Sequence, residues 1–264
     1  MKTKTTLCAL ATLMLVGCSQ EPKWESLFNG KDLTGWSVKI RNYPYGENYA
    51  NTFRVEDGLL KVRYDKYKGD FNNRFGHLYT DKEYSYYKFR CEYRFVGDQV
   101  QGAPAWATRN SGAMLHCPDP AGMDLDQDFP VSVESQFLGG NGKDERTTAN
   151  VCTPNTDVFV DGKKLPGHCC LSKSKTFHGN QWVRMEIDVY GDSLIRHIVN
   201  GEEVLVMTNL TYTGGKANEK NVYKAGAPIR KGRIALQSES HPVDFRNIEI
   251  MDLSSQFEKK YSAQ

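Results

Sequence analysis

The chain has 264 residues, of which 39% are hydrophobic and 25% are charged. This composition is typical of a folded globular protein and argues against a disordered one. The 34 basic and 32 acidic residues leave a formal net charge of only +2, so we expect no nucleic-acid partner.

The first twenty residues predict an export signal. Lys2 and Lys4 precede an apolar run at 7–16; the alternative, a transmembrane anchor, is disfavoured because this run is too short for about 30 Å of hydrocarbon. Residues 15–18 read Leu-Val-Gly-Cys, the pattern of a bacterial lipobox, in which the cysteine accepts lipid. The sequence predicts a lipoprotein signal peptide at 1–17, a lipidated tether at 18–23 beginning at Cys18, and a single domain at 24–264. The protein is then anchored to a bacterial membrane, in the periplasm or at the cell surface.

The clearest strand in the first half of the chain lies within residues 85–96, SYYKFRCEYRFV. Tyr87, Phe89, Cys91, Tyr93 and Phe95 alternate with charged residues, which predicts a strand with one buried face. The intervening Arg90 and Glu92 are therefore expected on an exposed face, where they could contact a sugar in the same groove as the residues described next.

Residues 110–117 predict a short strand after a loop that carries Trp106. Asn110 and His116 fall on the same face of this strand. The acidic loop that follows has aspartates at 124, 126 and 128, like the start of a calcium EF-hand. It is not an EF-hand, because Phe129 and Ser135 stand where that motif needs glycine and glutamate. We expect a solvated loop, with bound calcium as the alternative.

Residues 130–138, PVSVESQFL, place a carboxylate and an amide on one face of a strand. Val133 and Phe137 alternate with Glu134 and Gln136, so the first pair should face a core and the second should face outward. A solvated sheet face and a sugar-binding groove are both consistent with this pattern.

The cysteines are odd in number once the signal peptide and Cys18 are set aside. Cys152 and Cys169 flank a polar loop rich in turn residues, so a disulfide at the base of that loop is predicted. Free buried thiols are the alternative, above all for Cys91 in its apolar strand.

The last third of the chain predicts further hairpins, with Asn200-Gly201 as a type I′ turn. No helical period continues over 12 residues. About a dozen short strands without intervening helices favour an all-β fold, a single antiparallel β-sandwich. We expect its concave face to be built from the strands at 88–95, 110–116, 131–138 and 234–239.

Four motifs, in this order along the chain, resemble the 3-keto-disaccharide hydrolase family: LFNGKDLTGW at 27–36, NSGAMLH at 110–116, VESQF at 133–137 and GRIALQSESHPVDFRNIEI at 232–250. The resemblance covers about residues 24–253. It implies a concanavalin-like jelly roll and an enzyme that cleaves 3-keto-glycosides by hydrolysis or by elimination followed by hydration. The positions that match the family's motifs are Asn110, Glu134, Gln136, Gln237, Glu239, His241 and Arg246.

Jelly-roll glycosidases of the laminarinase type carry their two catalytic carboxylates on one strand. Here the corresponding face offers only Glu134, so a second carboxylate would have to come from Glu239 or Glu92 on another strand. A 3-keto sugar changes the requirement, because its ketone acidifies the C2 proton. The enzyme then needs a base, an enolate stabiliser and an acid for the leaving group.

The sequence suggests candidates for these roles. Glu134 and His241 are expected to share the acid and base roles, with His116 as a further base or, with Glu134, as a metal ligand. Arg246 or Arg90 would orient the sugar. The structural alternatives are a turn residue for His241, a half-buried strand histidine for His116 and an ion pair for Arg246. No cofactor is required by the sequence, and a divalent metal is an open alternative.

Two other functions fit the same fold. A non-catalytic carbohydrate-binding module would use aromatic platforms such as Trp36, Trp106 or Trp182 and would lack convergent titratable groups. A structural or adhesion lipoprotein would have only a shallow groove. For the enzyme, the expected partners are a carbohydrate substrate, the lipid anchor and a sugar 3-dehydrogenase that acts upstream.

Overall fold

The computed structural model describes residues 21–216 and 222–257. The predicted signal peptide and the predicted lipidation site, Cys18, lie outside the described residues. Within them, no helix has the length and apolar character needed to cross a bilayer.

The described chain is built almost entirely of strands. In chain order they are β1 (Glu25–Ser26), β2 (Trp36–Ile40), β3 (Phe53–Glu56), β4 (Leu59–Val62), β5 (Gly76–Thr80), β6 (Tyr86–Phe95), β7 (Asn110–Cys117), β8 (Val133–Leu138), β9 (Asn150–Cys152), β10 (Thr156–Val160), β11 (Lys163–Lys164), β12 (Cys169–Cys170), β13 (Val183–Tyr190), β14 (Leu194–Val199), β15 (Glu202–Tyr212), β16 (Gly215–Lys216), β17 (Val222–Tyr223), β18 (Arg233–Ser238) and β19 (Val243–Asp252). The described helices are one α-helical turn and three 3-10 turns: α1 (Ser254–Phe257), Tyr49–Asn51, Ala105–Ala107 and Pro120–Gly122.

Two antiparallel sheets form a sandwich. The ten-stranded sheet has the order β11-β10-β15-β14-β13-β6-β19-β4-β3, with β1 paired to β19. The seven-stranded sheet has the order β12-β9-β8-β7-β18-β5-β2, and β16 and β17 form a separate pair. The predicted antiparallel β-sandwich of the concanavalin-like jelly-roll type is confirmed.

The core lies between the sheets and is rich in aromatic side chains. Tyr93 of β6 stacks on Phe137 of β8, with ring centroids 4.7 Å apart, and so joins the two sheets across the core. Both side chains are fully or nearly fully buried, and burial of aromatic surface of this size is a large stabilising contribution. The alternation predicted for β6 is therefore confirmed, since its aromatic face is the buried one.

The turn between β14 and β15 shows how the sequence sets strand pairing. Asn200 and Gly201 have φ values of 51° and 88°, which are the left-handed conformations that a type I′ turn requires. Glycine and asparagine adopt them at low cost, and the predicted hairpin is confirmed.

One part of the predicted concave face is wrong. β7, β8 and β18 are adjacent in the seven-stranded sheet, but β6 lies in the middle of the ten-stranded sheet. Alternation predicts that one face of β6 is buried; it does not say which of the two sheets contains the strand.

Candidate functional site

A glycine forms the floor of the candidate site on the outer face of the seven-stranded sheet. Gly112 of β7 pairs with Gln136 of β8. A Cβ atom on Gly112 would lie 2.9 Å from Glu134 Oε1 and 3.2 Å from Gln237 Oε1, closer than such atoms normally approach. The absence of a side chain at 112 therefore lets oxygen atoms from both neighbouring strands lie over the same point of the sheet.

Around this floor lies a cavity of about 320 Å³. Its lining combines acids and amides from the sheet with apolar side chains from loops: Trp106, Asn110, Phe129, Glu134, Gln136, Cys152, Pro154, His168, Cys169 and Glu239. The structure thus brings together five of the predicted catalytic and substrate-binding residues: Asn110 on β7, Glu134 and Gln136 on β8, Glu239 directly after β18, and Trp106 in a 3-10 turn.

Two carboxyl groups lie buried in this cavity. Glu134 is 6% exposed and Glu239 is 3% exposed. Burial raises the pKa of Glu134 to about 8. Burial, together with the charge of Glu134, raises the pKa of Glu239 well above its ordinary value. Burial thus raises the pKa of both carboxyl groups, and buried acids with raised pKa values in one cavity are typical of sites that perform acid-base chemistry.

Gln237 positions one of these acids. Its Nε2 donates a hydrogen bond of 2.9 Å to Glu239 Oε1, which leaves Glu239 Oε2 free to face the cavity. Gln237 does not itself line the cavity. It belongs to the site because it binds Glu239 and because its Oε1 lies close to Gly112.

Several buried oxygen atoms lack a hydrogen-bond partner within the described part of the chain. They include Asn110 Oδ1, Gln237 Oε1 and Glu239 Oε2. Leaving a buried polar atom unpaired costs about 1–3 kcal/mol, so such a cluster is costly in the free protein. A ligand that offers several hydroxyl groups would satisfy these atoms.

An aromatic wall borders the polar floor. Trp106 is 55% exposed and stacks on Phe75, with ring centroids 5.7 Å apart and planes inclined by 24°. Phe129 also packs against Phe75, with ring centroids 5.1 Å apart. The cavity therefore offers an apolar face of the kind on which a sugar ring or another flat group can stack.

The loop that ends at Phe129 is held on the sheet by basic residues of the β2 region. Lys39 Nζ donates to Leu125 O at 3.2 Å, and Arg41 Nε donates to Asp126 O at 2.9 Å. Arg41 also forms an ion pair with Asp128 at 3.1 Å. The acidic loop is thus only partly solvated, and one end of it forms a wall of the cavity.

The opposite wall is formed by β9 and β12, which pair with each other and are joined by a disulfide. Cys152 and Cys169 are joined, and Cys152 pairs directly with Glu134 across β8 and β9. Pro154 and His168 extend this wall. Among the described cysteines, Cys91 and Cys117 are free and buried, and Cys170 is free and half-buried.

His116 does not lie in the cavity, contrary to the sequence-based expectation. Its φ of 58° and the register shift between β7 and β18 turn it out of the alternation of its strand. Its Nε2 lies 3.1 Å from Gly191 O, and burial lowers its pKa to about 4. A base role for His116, or a metal site shared with Glu134, is therefore not compatible with this placement.

His241 is also not part of the cavity lining. It follows Ser240, whose φ is 97°, and its ring packs edge-on against Phe95 at 5.7 Å. Burial, followed by the positive charge of Arg109, lowers its pKa to about 4. The structure therefore leaves His241 outside the lining that contains Glu134, and the expected sharing of acid and base roles by these two residues has no support in this cavity.

The predicted sugar contacts on β6 and β19 are wrong in position. Arg246 forms a hydrogen bond and ion pair of 2.6 Å with Glu92, and Arg90 forms the same kind of pair with Glu249. All of them belong to the ten-stranded sheet, on the far side of the core from the cavity. The ion-pair alternative for Arg246 is the one that the structure shows.

The other proposed aromatic platforms also lie away from the cavity. Trp182 stacks under the guanidinium groups of Arg94 and Arg246, at 4.5 Å and 4.1 Å from the ring centroid. Trp36 is buried in the core. Trp106 is therefore the predicted platform that lines the site.

Sequence reasoning missed Phe129, Pro154, His168 and the floor residue Gly112. His168 lies next to Cys169 of the predicted disulfide, and this position is the signal that could have placed it near Glu134. Among the described residues, one group of side chains could hold a metal ion: Cys152, His168 and Cys169. Two of its three ligand atoms are already joined in the disulfide.

Comparison with known proteins agrees with this architecture. No curated protein matches the chain. The solved structures that resemble it include two proposed glycosyl hydrolases from Parabacteroides distasonis ATCC 8503. One is 20% identical, with 88% of this chain and 100% of that chain covered and a TM-score of 0.50. The other is 19% identical, with 87% and 94% covered and a TM-score of 0.51. At this identity the likeness shows the fold alone.

The sequence itself identifies the family. Residues 23–251 match a family described as the 3-keto-alpha-glucoside-1,2-lyase-like domain, and this range includes every residue that lines the cavity. The chain therefore belongs to the family of 3-keto-alpha-glucoside-1,2-lyase-like domains, the family that its four sequence motifs resemble.

Proposed function

We propose that this protein cleaves the glycosidic bond of 3-keto-glycosides, including 3-keto-disaccharides, by elimination followed by hydration, with net hydrolysis as the result. The observation that carries the proposal is the pair of buried carboxyl groups, Glu134 and Glu239, in one cavity, where burial raises the pKa of both. Membership of the family supports the substrate class.

The chemistry of a 3-keto sugar explains why such a pair is useful. The ketone at C3 acidifies the hydrogen on C2, so a base can remove it and form an enolate. The electron pair then forms a double bond between C1 and C2 as the bond from C1 to the leaving oxygen breaks. The enzyme must supply a base at C2, a hydrogen-bond donor to the enolate oxygen and a proton for the leaving group.

Glu134 is the better candidate for the base. The pKa of its carboxyl group is raised to about 8, so a fraction of Glu134 is ionised near neutral pH. A base with a pKa near the working pH combines a useful ionised fraction with a strong tendency to take a proton.

Glu239 is the candidate for the enolate stabiliser. Its Oε1 already accepts a hydrogen bond from Gln237, so a proton retained on Oε2 can be donated into the cavity. A carboxylic acid kept neutral by burial is an effective donor to a developing oxyanion. Asn110 and Gln136 lie beside it and can bind the sugar hydroxyl groups.

The second half of the reaction completes the balance of atoms. Water adds at C1 of the unsaturated keto sugar, and C2 takes back the proton held by Glu134, which yields the free 3-keto sugar. The substrate must first be oxidised at C3, so we propose that a sugar 3-dehydrogenase acts upstream of this protein.

The decisive experiment compares a 3-keto-disaccharide with its unoxidised parent. The mature chain should release a free 3-keto sugar only from the oxidised substrate. Glu134→Gln should lower kcat/KM about a hundredfold or more, as expected for loss of a general base. Glu203→Gln changes an exposed glutamate of the other sheet and is the matched control.

Two results would contradict the proposal. Full activity of Glu134→Gln would show that Glu134 is not the base that removes the C2 proton. Binding of sugar by the wild-type chain without turnover of the oxidised substrate would instead favour the non-catalytic carbohydrate-binding module.

A further inference from the structure

We propose that His168 is the general acid that protonates the leaving group. This inference rests on the proposed function, because it assigns the third role that the elimination requires. Sequence reasoning gave His168 no function, and His241, the histidine that the resemblance pointed to, does not line the cavity.

Few side chains that line the cavity can carry a proton. With Cys152 and Cys169 joined in a disulfide, the titratable side chains that line it are Glu134, Glu239 and His168. The two glutamates lie on either side of β7, Glu134 on β8 and Glu239 directly after β18, and are occupied by the chemistry at C2 and C3. A different group must protonate the oxygen that leaves C1.

The imidazole of His168 lies close to the proposed base. The ligand atoms of Cys152, His168 and Cys169 all lie within 4.8 Å of one another, so the imidazole lies beside the disulfide. Cys152 is the direct cross-strand partner of Glu134. His168 therefore stands on the wall next to the proposed base, where the atom bonded to C1 can lie when C2 faces Glu134.

Backbone contacts hold His168 in place. Thr153 N donates to His168 O at 2.9 Å, and Thr153 Oγ1 donates to the same oxygen at 3.2 Å. The next residue, Cys169, is fixed by the disulfide and by its pairing with β9. The ring is nevertheless exposed, and can exchange protons with solvent between turnovers.

The proposed step is balanced in protons and electrons. The carboxylate of Glu134 takes the C2 proton, the C2–H electron pair becomes the double bond between C1 and C2, and the electron pair of the broken C1–O bond stays on oxygen. That oxygen takes the proton from the imidazolium of His168. Imidazole is the side chain that most often performs such transfers. Solvent then restores the proton of His168.

Leaving-group dependence tests this role. The test measures kcat/KM for wild type and His168→Asn on two substrates: a 3-keto-disaccharide, whose leaving alkoxide needs a proton, and a 4-nitrophenyl 3-keto-glucoside, whose leaving group does not. We expect His168→Asn to lose about a hundredfold or more on the disaccharide and less than about threefold on the nitrophenyl substrate. His178→Asn, at an exposed histidine outside the cavity lining, should match wild type on both.

The outcomes separate the general acid from other roles. Equal losses on both substrates would show that His168 only positions the substrate, and no loss on the disaccharide would show that it has no catalytic role; either result overturns the inference while leaving the proposed function intact. If wild type turns over neither substrate, the proposed function is wrong and this inference with it. Imidazole added to His168→Ala should restore cleavage of the disaccharide selectively, and failure of this rescue would also count against the acid role.

Discussion

The burial of Glu134 predicts a specific dependence of stability on pH. Its pKa is raised from the ordinary 4.5 to about 8 in the folded chain, whereas in the unfolded chain it returns to the ordinary value. Between these two pH values the folded state binds more protons than the unfolded state. The free energy of unfolding must therefore fall as the pH rises from 4.5 to 8, because the unfolded chain releases a proton that the folded chain retains.

The magnitude follows from the two pKa values. The linkage relation gives a cost of about 4 kcal/mol at pH 8 and about 1 kcal/mol at pH 5 for keeping this group buried. Glu134→Gln removes the titration while keeping the shape of the side chain. We therefore expect the variant to gain about 3 kcal/mol relative to wild type between pH 5 and pH 8, or a difference in Tm of about 6–12 °C for a chain of this size.

The assay is thermal and denaturant unfolding of wild type, Glu134→Gln and Glu203→Gln at pH 5 and pH 8, with the disulfide kept oxidised. Glu203→Gln should follow wild type, because its side chain is 53% exposed. Parallel stability curves for wild type and Glu134→Gln across this pH range would refute the reasoning, since they would show that the carboxyl group is not held neutral by burial. The same variant should lose catalysis, so at pH 8 it should be the more stable and the less active protein.

Four further outcomes are expected. On a 4-nitrophenyl 3-keto-glucoside, whose leaving group needs no proton, kcat/KM should rise with pH along a limb with an apparent pKa of about 8, because Glu134 must ionise to act; a limb near 4.5 would contradict its burial. Gly112→Ala should lower kcat/KM at least about tenfold, because its Cβ would lie 2.9 Å from Glu134 Oε1. Gly167→Ala is the control and should be neutral, because no atom lies within 4 Å of a Cβ at that position. Equal activity of the two variants would show that the close approach of Glu134 to Gly112 is not needed for activity. Dialysis against a chelator should leave kcat/KM unchanged, because a protonated Glu239 supplies the enolate donor; a loss that a divalent ion restores would assign that role to a metal. Cys18→Ser should release the protein from the membrane fraction of the producing cell; retention there would contradict lipidation.

The sequence predicted the parts of the fold that local patterns control. Alternation in β6 and β8 identified the buried faces, and Asn200-Gly201 identified a hairpin, because side-chain direction and turn conformation depend on a few neighbouring residues. The same patterns could not assign β6 to a sheet, since either sheet would bury its aromatic face equally well. Arg90, Glu92 and Arg246 were misplaced for that reason.

The errors at the site have equally local physical causes. His116 lies on the expected strand, but a shift of register turns its side chain away from the face that simple alternation predicts. His168 was overlooked because its place depends on a contact between chain segments far apart in sequence, and spacing alone does not measure such distances. Glu134 and Gln136 were placed correctly because residues two apart on one strand always share a face.

The unpaired atoms of the floor have a consequence for the charge of the ligand. Asn110 Oδ1 and Gln237 Oε1 are amide oxygens, which can only accept a hydrogen bond, and Glu134 adds a carboxyl group beside them. A neutral sugar meets such a surface with its hydroxyl donors. A uronate or a sugar phosphate would present anionic oxygens to it and would be repelled, more strongly as Glu134 ionises. The floor therefore selects neutral sugars over acidic ones, and this discrimination should sharpen as the pH approaches 8.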